Sequence, residues 1–146
     1  MFNNILPDLQ ASLLCDDARQ EINGKFILIG LFDGITVPQL PVTIPRMFIV
    51  NRWCAGDGIF KQQTRMFAPD GITEHFKGRD IIIKLGSDDQ SATSVEVFLD
   101  LKFTQSGLYW VEILLDDKIK NTLPPHNSRQ AAGAERHVVE GLKSSL

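Results

Sequence analysis

The sequence predicts a mainly β chain: an antiparallel β-sandwich of about seven strands with a short C-terminal helix or tail. Three observations lead there. Apolar residues recur at every second position over 95–103, the period of a strand with one buried face. Seven extended candidates, at 11–15, 25–32, 46–55, 59–68, 73–85, 95–103 and 108–115, are separated by turn signals at short spacing. One of them, 108–115, is apolar on both faces, as a strand covered on both sides must be. A closed barrel is the alternative arrangement of the same strands.

Each element has its own signal. Residues 11–15 read as a short strand, and 16–21 as one helical turn with Asp17 as N-cap and Gln20 reaching back. Asn23-Gly24 is a strong hairpin turn, and it opens the continuous apolar run 25–32, which reads as a buried strand. A connection with Pro38, Pro41 and Pro45 leads to 46–55. Gly56-Asp57-Gly58 and Pro69-Asp70-Gly71 bracket the next strand. Gly78 marks a bulge or break within 73–85. In 95–103, the alternation sets Val95, Val97, Leu99, Leu101 and Phe103 inward and Phe98 outward. The expected core comprises Leu28, Ile83, Val97, Leu99, Leu101, Val111 and Ile113. Residues 1–125 form a single β-sandwich domain. Residues 126–146 form a C-terminal loop and helix or tail, with the helix over 129–143 on the stripe Ala131, Ala134, Val138 and Leu142.

Composition narrows the function classes. The chain has 146 residues, 43% apolar and 23% charged, enough for one core without metal or disulfide support. A net charge of -3 lacks the basic footprint of a nucleic-acid binder. No apolar run approaches the roughly 20 residues that span a bilayer, so no membrane partner is expected. The N-terminus lacks the basic and apolar regions of a signal peptide, so a cytoplasmic location is expected. Cys15 and Cys54 then read as reduced thiols.

No catalytic motif is present. His75, His126 and His137 are scattered, and there is no nucleophile elbow, zinc-binding helix or phosphate-binding loop. The acidic turns are a second candidate. If successive connections alternate between the two ends of a sandwich, Asp16, Asp57, Asp88 and Asp116 share one end. Several carboxylates on loops suit a hard cation such as calcium. Asp is equally a favoured turn residue in its own right. The third candidate is apolar surface: Phe98, Trp110 and Leu114 fall opposite the inward faces of their strands. They are either covered by the C-terminal segment or form an interface.

Leu14-Cys15-Asp16-Asp17, Asn23-Gly24-Lys25 and Leu28-Ile29-Gly30-Leu31-Phe32 carry a resemblance, joined by Gly107-Leu108-Tyr109 and the acidic turn Asp116-Asp117. With these, residues 8–125 resemble a family of small bacterial proteins that carry a domain of unknown function. The resemblance implies a bacterial cytosolic β domain and no particular chemistry. The expectation is therefore a non-enzymatic interaction or structural module that forms a homodimer or docks on another protein, needing no cofactor. The alternative is a cation- or small-ligand-binding sandwich that uses the acidic loop end.

Overall fold

The first strand lays out one whole sheet. In this computed structural model, which describes residues 5–87, 90–116, 118–119, 137–139 and 143–144, β1 runs Asp8–Gln20. It pairs antiparallel with β4 (Val42–Cys54) up to Cys15, and with β2 (Phe26–Phe32) from Leu14 onward. The two partners overlap only at Leu14 and Cys15, so beyond Cys15 the β1–β2 hairpin leaves the sheet as a two-stranded ribbon. Its turn is the expected Asn23-Gly24: Gly24 has φ 90 and donates to Glu21 O, and the Asn23 side-chain oxygen accepts from the Lys25 amide. The order is completed by β8 (Ser91–Phe103), giving β2-β1-β4-β8.

The second sheet is centred on β5 (Gly58–Phe67) and β9 (Tyr109–Leu115). On the far side of β5 lies one interrupted edge, β6 (Glu74–Lys77) and β7 (Ile81–Leu85), with the expected break at Gly78. On the far side of β9 lie β10 (Lys118–Ile119) and β11 (His137–Val139). A two-residue β3 (Thr36–Val37) pairs parallel with β12 (Lys143–Ser144).

The chain is thus a sandwich of two antiparallel sheets. The β4–β8 and β5–β9 pairings, one in each sheet, are those of an immunoglobulin-type Greek key. A tyrosine corner accompanies them: the Tyr109 hydroxyl, at the start of β9, donates to Gln105 O at 2.7 Å.

The tail departs from its predicted helix, because residues 137–139 and 143–144 are strands. Val138 and Val139 are β-branched, Gly133 and Gly141 weaken a helix, and the free edge of β9 offers a ladder. The rest of 126–146 lies outside the described residues. Asp16 and Asp17 are likewise in a strand, with no helical turn at 16–21.

The interior is set by a reversal of pleat in the β4–β8 pair. On β8, Ser94, Glu96 and Phe98 face inward, and then Leu101 and Phe103 do. On β4 the inward set is Val42 and Ile44, then Met47, Ile49, Asn51 and Trp53. Both strands shift by one residue at the same place, Pro45-Arg46 opposite Leu99-Asp100. Asp100 takes φ 53, a conformation that Asp tolerates better than bulkier residues do. Side chains alternate, so the kink exchanges the two faces.

This overturns part of the expected core. Ile83, Leu101, Val111 and Ile113 are buried as expected, whereas Val97 is 41% and Leu99 65% exposed. Phe98 is buried, its ring 4.3 Å from that of Phe76. Leu28 is half-buried, because 25–32 is the ribbon's edge strand and not an interior one. The inward face also carries polar groups. Trp53 Nε1 and the Ser94 hydroxyl both donate to Gln62 Oε1, at 2.8 and 2.7 Å, and the Ser12 hydroxyl donates to Asn51 Oδ1.

The reversal makes neighbouring residues respond oppositely. Phe98→Ala is expected to cost about 3–5 kcal/mol in urea unfolding, the range for a buried aromatic. Leu99→Ala is expected to stay within about 0.5 kcal/mol, as surface changes do.

Candidate functional site

Beyond the core, the outer face of the first sheet carries exposed aliphatics in register with one another. Register defines a row across its four strands: Leu31 beside Cys15, Cys15 beside Phe48, Phe48 beside Val97. The next row holds Ile29 beside Asp17 and Arg46 beside Leu99. An ion pair joins Asp17 to Arg46 at 3.7 Å and closes this second row. Leu31 is 59% and Ile29 44% exposed, so with Val97 and Leu99 both ends of both rows are open to solvent. Cys15, at the centre, is fully buried.

The charged groups on this face are held in place. Asp17 accepts from Arg19 Nε at 3.0 Å and from the Ala18 amide at 2.9 Å. The Arg19 hydrogen bond, followed by the charge of Arg46, holds the Asp17 carboxyl below the usual carboxylate range. Burial pushes the Cys15 thiol above its ordinary value, aided by the charges of Asp16 and Asp17 and opposed by a backbone hydrogen bond at Asp17. The Arg46 guanidinium also lies 5.7 Å from the centre of the Phe48 ring. Gly30 permits the close approach of the two ribbon strands. It has φ 71, and a Cβ there would collide with the Asp16 carboxylate.

The ribbon arches over the other half of the face. Its tip at Gly24 and its Phe26 and Leu28 border the same cavity as Leu13, Val50 and Arg52, a space of about 600 Å³. Arg52 is fixed there by Gln10, Thr93 and Ser91, at 3.1, 3.0 and 2.8 Å. This network ties β1, β4 and β8 together on their outer side.

The residues singled out from sequence lie elsewhere. Phe98 is in the core, and Trp110 and Leu114 are buried too, so none of the three is exposed surface. For Phe98, unbroken alternation through Leu99 fails because the pleat reverses; for Trp110 and Leu114 the structure takes the alternative of a covered outer side, since every residue of β9 is buried. Of the acidic set, Asp16 is in mid-strand and not at a turn. Asp57 forms a backbone bridge with Ile5. Asp116 Oδ1 accepts from the Lys61 amide at 2.8 Å. Asp88 lies outside the described residues. Among the described residues no group of three or more His, Cys, Asp or Glu side chains comes together to hold a metal. No helix among them is long and apolar enough to cross a membrane.

A family model matches residues 10–126. The chain belongs to DUF6941, a family of unknown function. The match begins in β1 and runs past β10, so it covers residues of every strand from β1 to β10. No protein of curated function matches the chain.

The outer-face rows are hidden in the sequence because the alternation over 95–103 points Val97 and Leu99 inward. The available signal was local: a proline on β4 with a charged neighbour, facing an Asp on β8.

The central position of Cys15 has a chemical consequence. In the native protein, iodoacetamide followed by mass spectrometry is expected to label the half-buried Cys54 well before Cys15. Unfolding in urea is expected to equalise the two rates.

Proposed function

We propose that this DUF6941 chain is a protein-interaction module that forms a two-fold homodimer through the outer face of its first sheet. The observation that carries the reading is the pair of cross-strand rows ending in Leu31, Ile29, Val97 and Leu99, all of them well exposed. Contiguous exposed aliphatics are costly to keep in water, and clusters of them mark interaction sites. Among the described residues, exposed aliphatics on the second sheet do not form such a surface. Ile59 and Ile82 are exposed there, but Lys84 and Lys61 are their cross-strand partners.

A second copy fits this surface for two reasons. Apolar sheet faces pack on one another about 10 Å apart whatever their detailed sequence, so such a face complements itself. The face also carries both signs of charge, Asp17 with Arg19 and Arg46. A copy turned about a two-fold axis therefore meets opposite as well as like charge.

The test is sedimentation. The wild-type chain is expected to run as a dimer of the 16.3 kDa protomer at micromolar concentration. Leu99→Glu and Leu31→Glu are each expected to shift it to monomer with melting temperatures within a few degrees of wild type, because both positions are exposed. A wild-type chain that remains at 16.3 kDa at the highest soluble concentration overturns the reading.

A further inference from the structure

The two sheets leave one side of the sandwich open. There, β8 is the edge of the first sheet, and β6 and β7 make the edge of the second. That second edge is interrupted for Gly78–Asp80, and Glu96 of β8 projects into the gap. Glu96 is only 9% exposed. Its Oε2 accepts from the Arg79 amide at 3.2 Å, while its Oε1 is buried and no donor meets hydrogen-bond geometry on it, the nearby Thr64 hydroxyl included, which is itself buried and unpartnered. Among the described residues no cation lies at ion-pair distance from it. Gly78 lies directly against this carboxylate, where a Cβ would crowd Glu96 Oε2.

A cavity of about 500 Å³ opens at this point, within the range of small-molecule sites. Its chemistry is divided. Glu96 supplies an unmet acceptor at the inner end. Lys77 and Arg79, both exposed, supply positive charge, and Ile81, Val95 and Phe98 supply apolar wall. Asp80 also borders the cavity, but its Oδ1 already accepts from Gln63 Nε2 at 2.9 Å.

We propose that this pocket binds a small zwitterion of the α-amino-acid class, its ammonium on Glu96 Oε1 and its carboxylate on Arg79 and Lys77. A lone cation meets two like charges at the mouth, and a lone anion meets the Glu96 carboxylate inside. A ligand carrying both groups satisfies each end. A buried acceptor without a partner costs free energy that a donor from the ligand recovers on binding. Burial also pushes the Glu96 carboxyl above its ordinary value, against the opposing effects of Thr64 and Arg79. An ammonium at Oε1 supplies the missing stabilisation of the charged form.

Calorimetric titration of the full chain with the individual proteinogenic amino acids, and with methylamine and acetate as single-charge probes, tests this. At least one amino acid is expected to bind, and both single-charge probes to bind at least about tenfold more weakly. Glu96→Gln, which keeps the shape and removes the charge, is expected to weaken the amino acid about tenfold or more. Arg79→Gln is expected to weaken it as well, at an exposed position that leaves the fold intact. If Glu96→Gln fails to fold by circular dichroism, Arg79→Gln alone decides. The proposal is overturned if no amino acid binds, if methylamine binds as tightly as any of them, or if affinity is unchanged in the folded variants.

Discussion

Alternation of side chains along a strand leaves no freedom: once one residue of β8 faces the core, its neighbours' directions follow until the backbone kinks. Here the kink is the paired reversal at Pro45-Arg46 and Leu99-Asp100. On one side of it β8 buries Ser94, Glu96 and Phe98, and on the other Leu101 and Phe103. Pro45 has no amide to contribute to a ladder, and Asp100 adopts φ 53 opposite it. Without the reversal Val97 and Leu99 would fill the interior, and Glu96 would be an ordinary solvated carboxylate. The kink thus produces both unusual features of the protein: aliphatics outside and an acid inside.

The second constraint is the divided pairing of β1. Its first half is held by β4 and its second half by β2, with only Leu14 and Cys15 shared. A strand of 13 residues that changes partner midway can leave its sheet and keep its hydrogen bonds. This is why the β1–β2 ribbon swings out yet stays ordered. It also sets Leu31 and Ile29 at the ribbon's base, in register with Cys15 and Asp17, and so widens the apolar face from three strands to four.

The sequence carried local geometry better than it carried facing. Asn23-Gly24, Gly56-Asp57-Gly58 and Pro69-Asp70-Gly71 fall where the chain turns, because each turn needs specific backbone conformations that few residues supply. Gly78 was legible as a break, and the double-sided apolarity of 108–115 matches the full burial of β9. Facing was not legible, since a single positive φ at Asp100 inverts every assignment N-terminal to it while leaving the pattern of letters unbroken. Phe98 looked like an outward exception to the alternation and is a core residue. Asp16 and Asp17 looked like a turn because acidic pairs are frequent there, yet two long strands pair across them. The run 25–32 looked buried because composition records apolarity and not what lies opposite. Glu96 had no sequence signal at all: its burial depends on the reversal and on the gap at Gly78–Asp80, which is distant in sequence.

The two inferred sites share a strand. Glu96 faces the open seam, and Val97, the next residue of β8, both belongs to the outer face and borders the cavity beside Glu96. A peptide plane joins them, so any movement of β8 that improves the fit of a ligand around Glu96 also moves Val97 within its row. Coupling between binding events is reciprocal by thermodynamic necessity. Were both proposed sites occupied, a ligand that favours one placement of β8 would change association of the outer face by the same factor that association changes its own affinity. Phe98, tilted against Phe76 with ring centres 4.3 Å apart, ties β8 to the second sheet. The pleat reversal that sets Glu96 inward and Val97 outward thus puts both surfaces on consecutive residues of one strand.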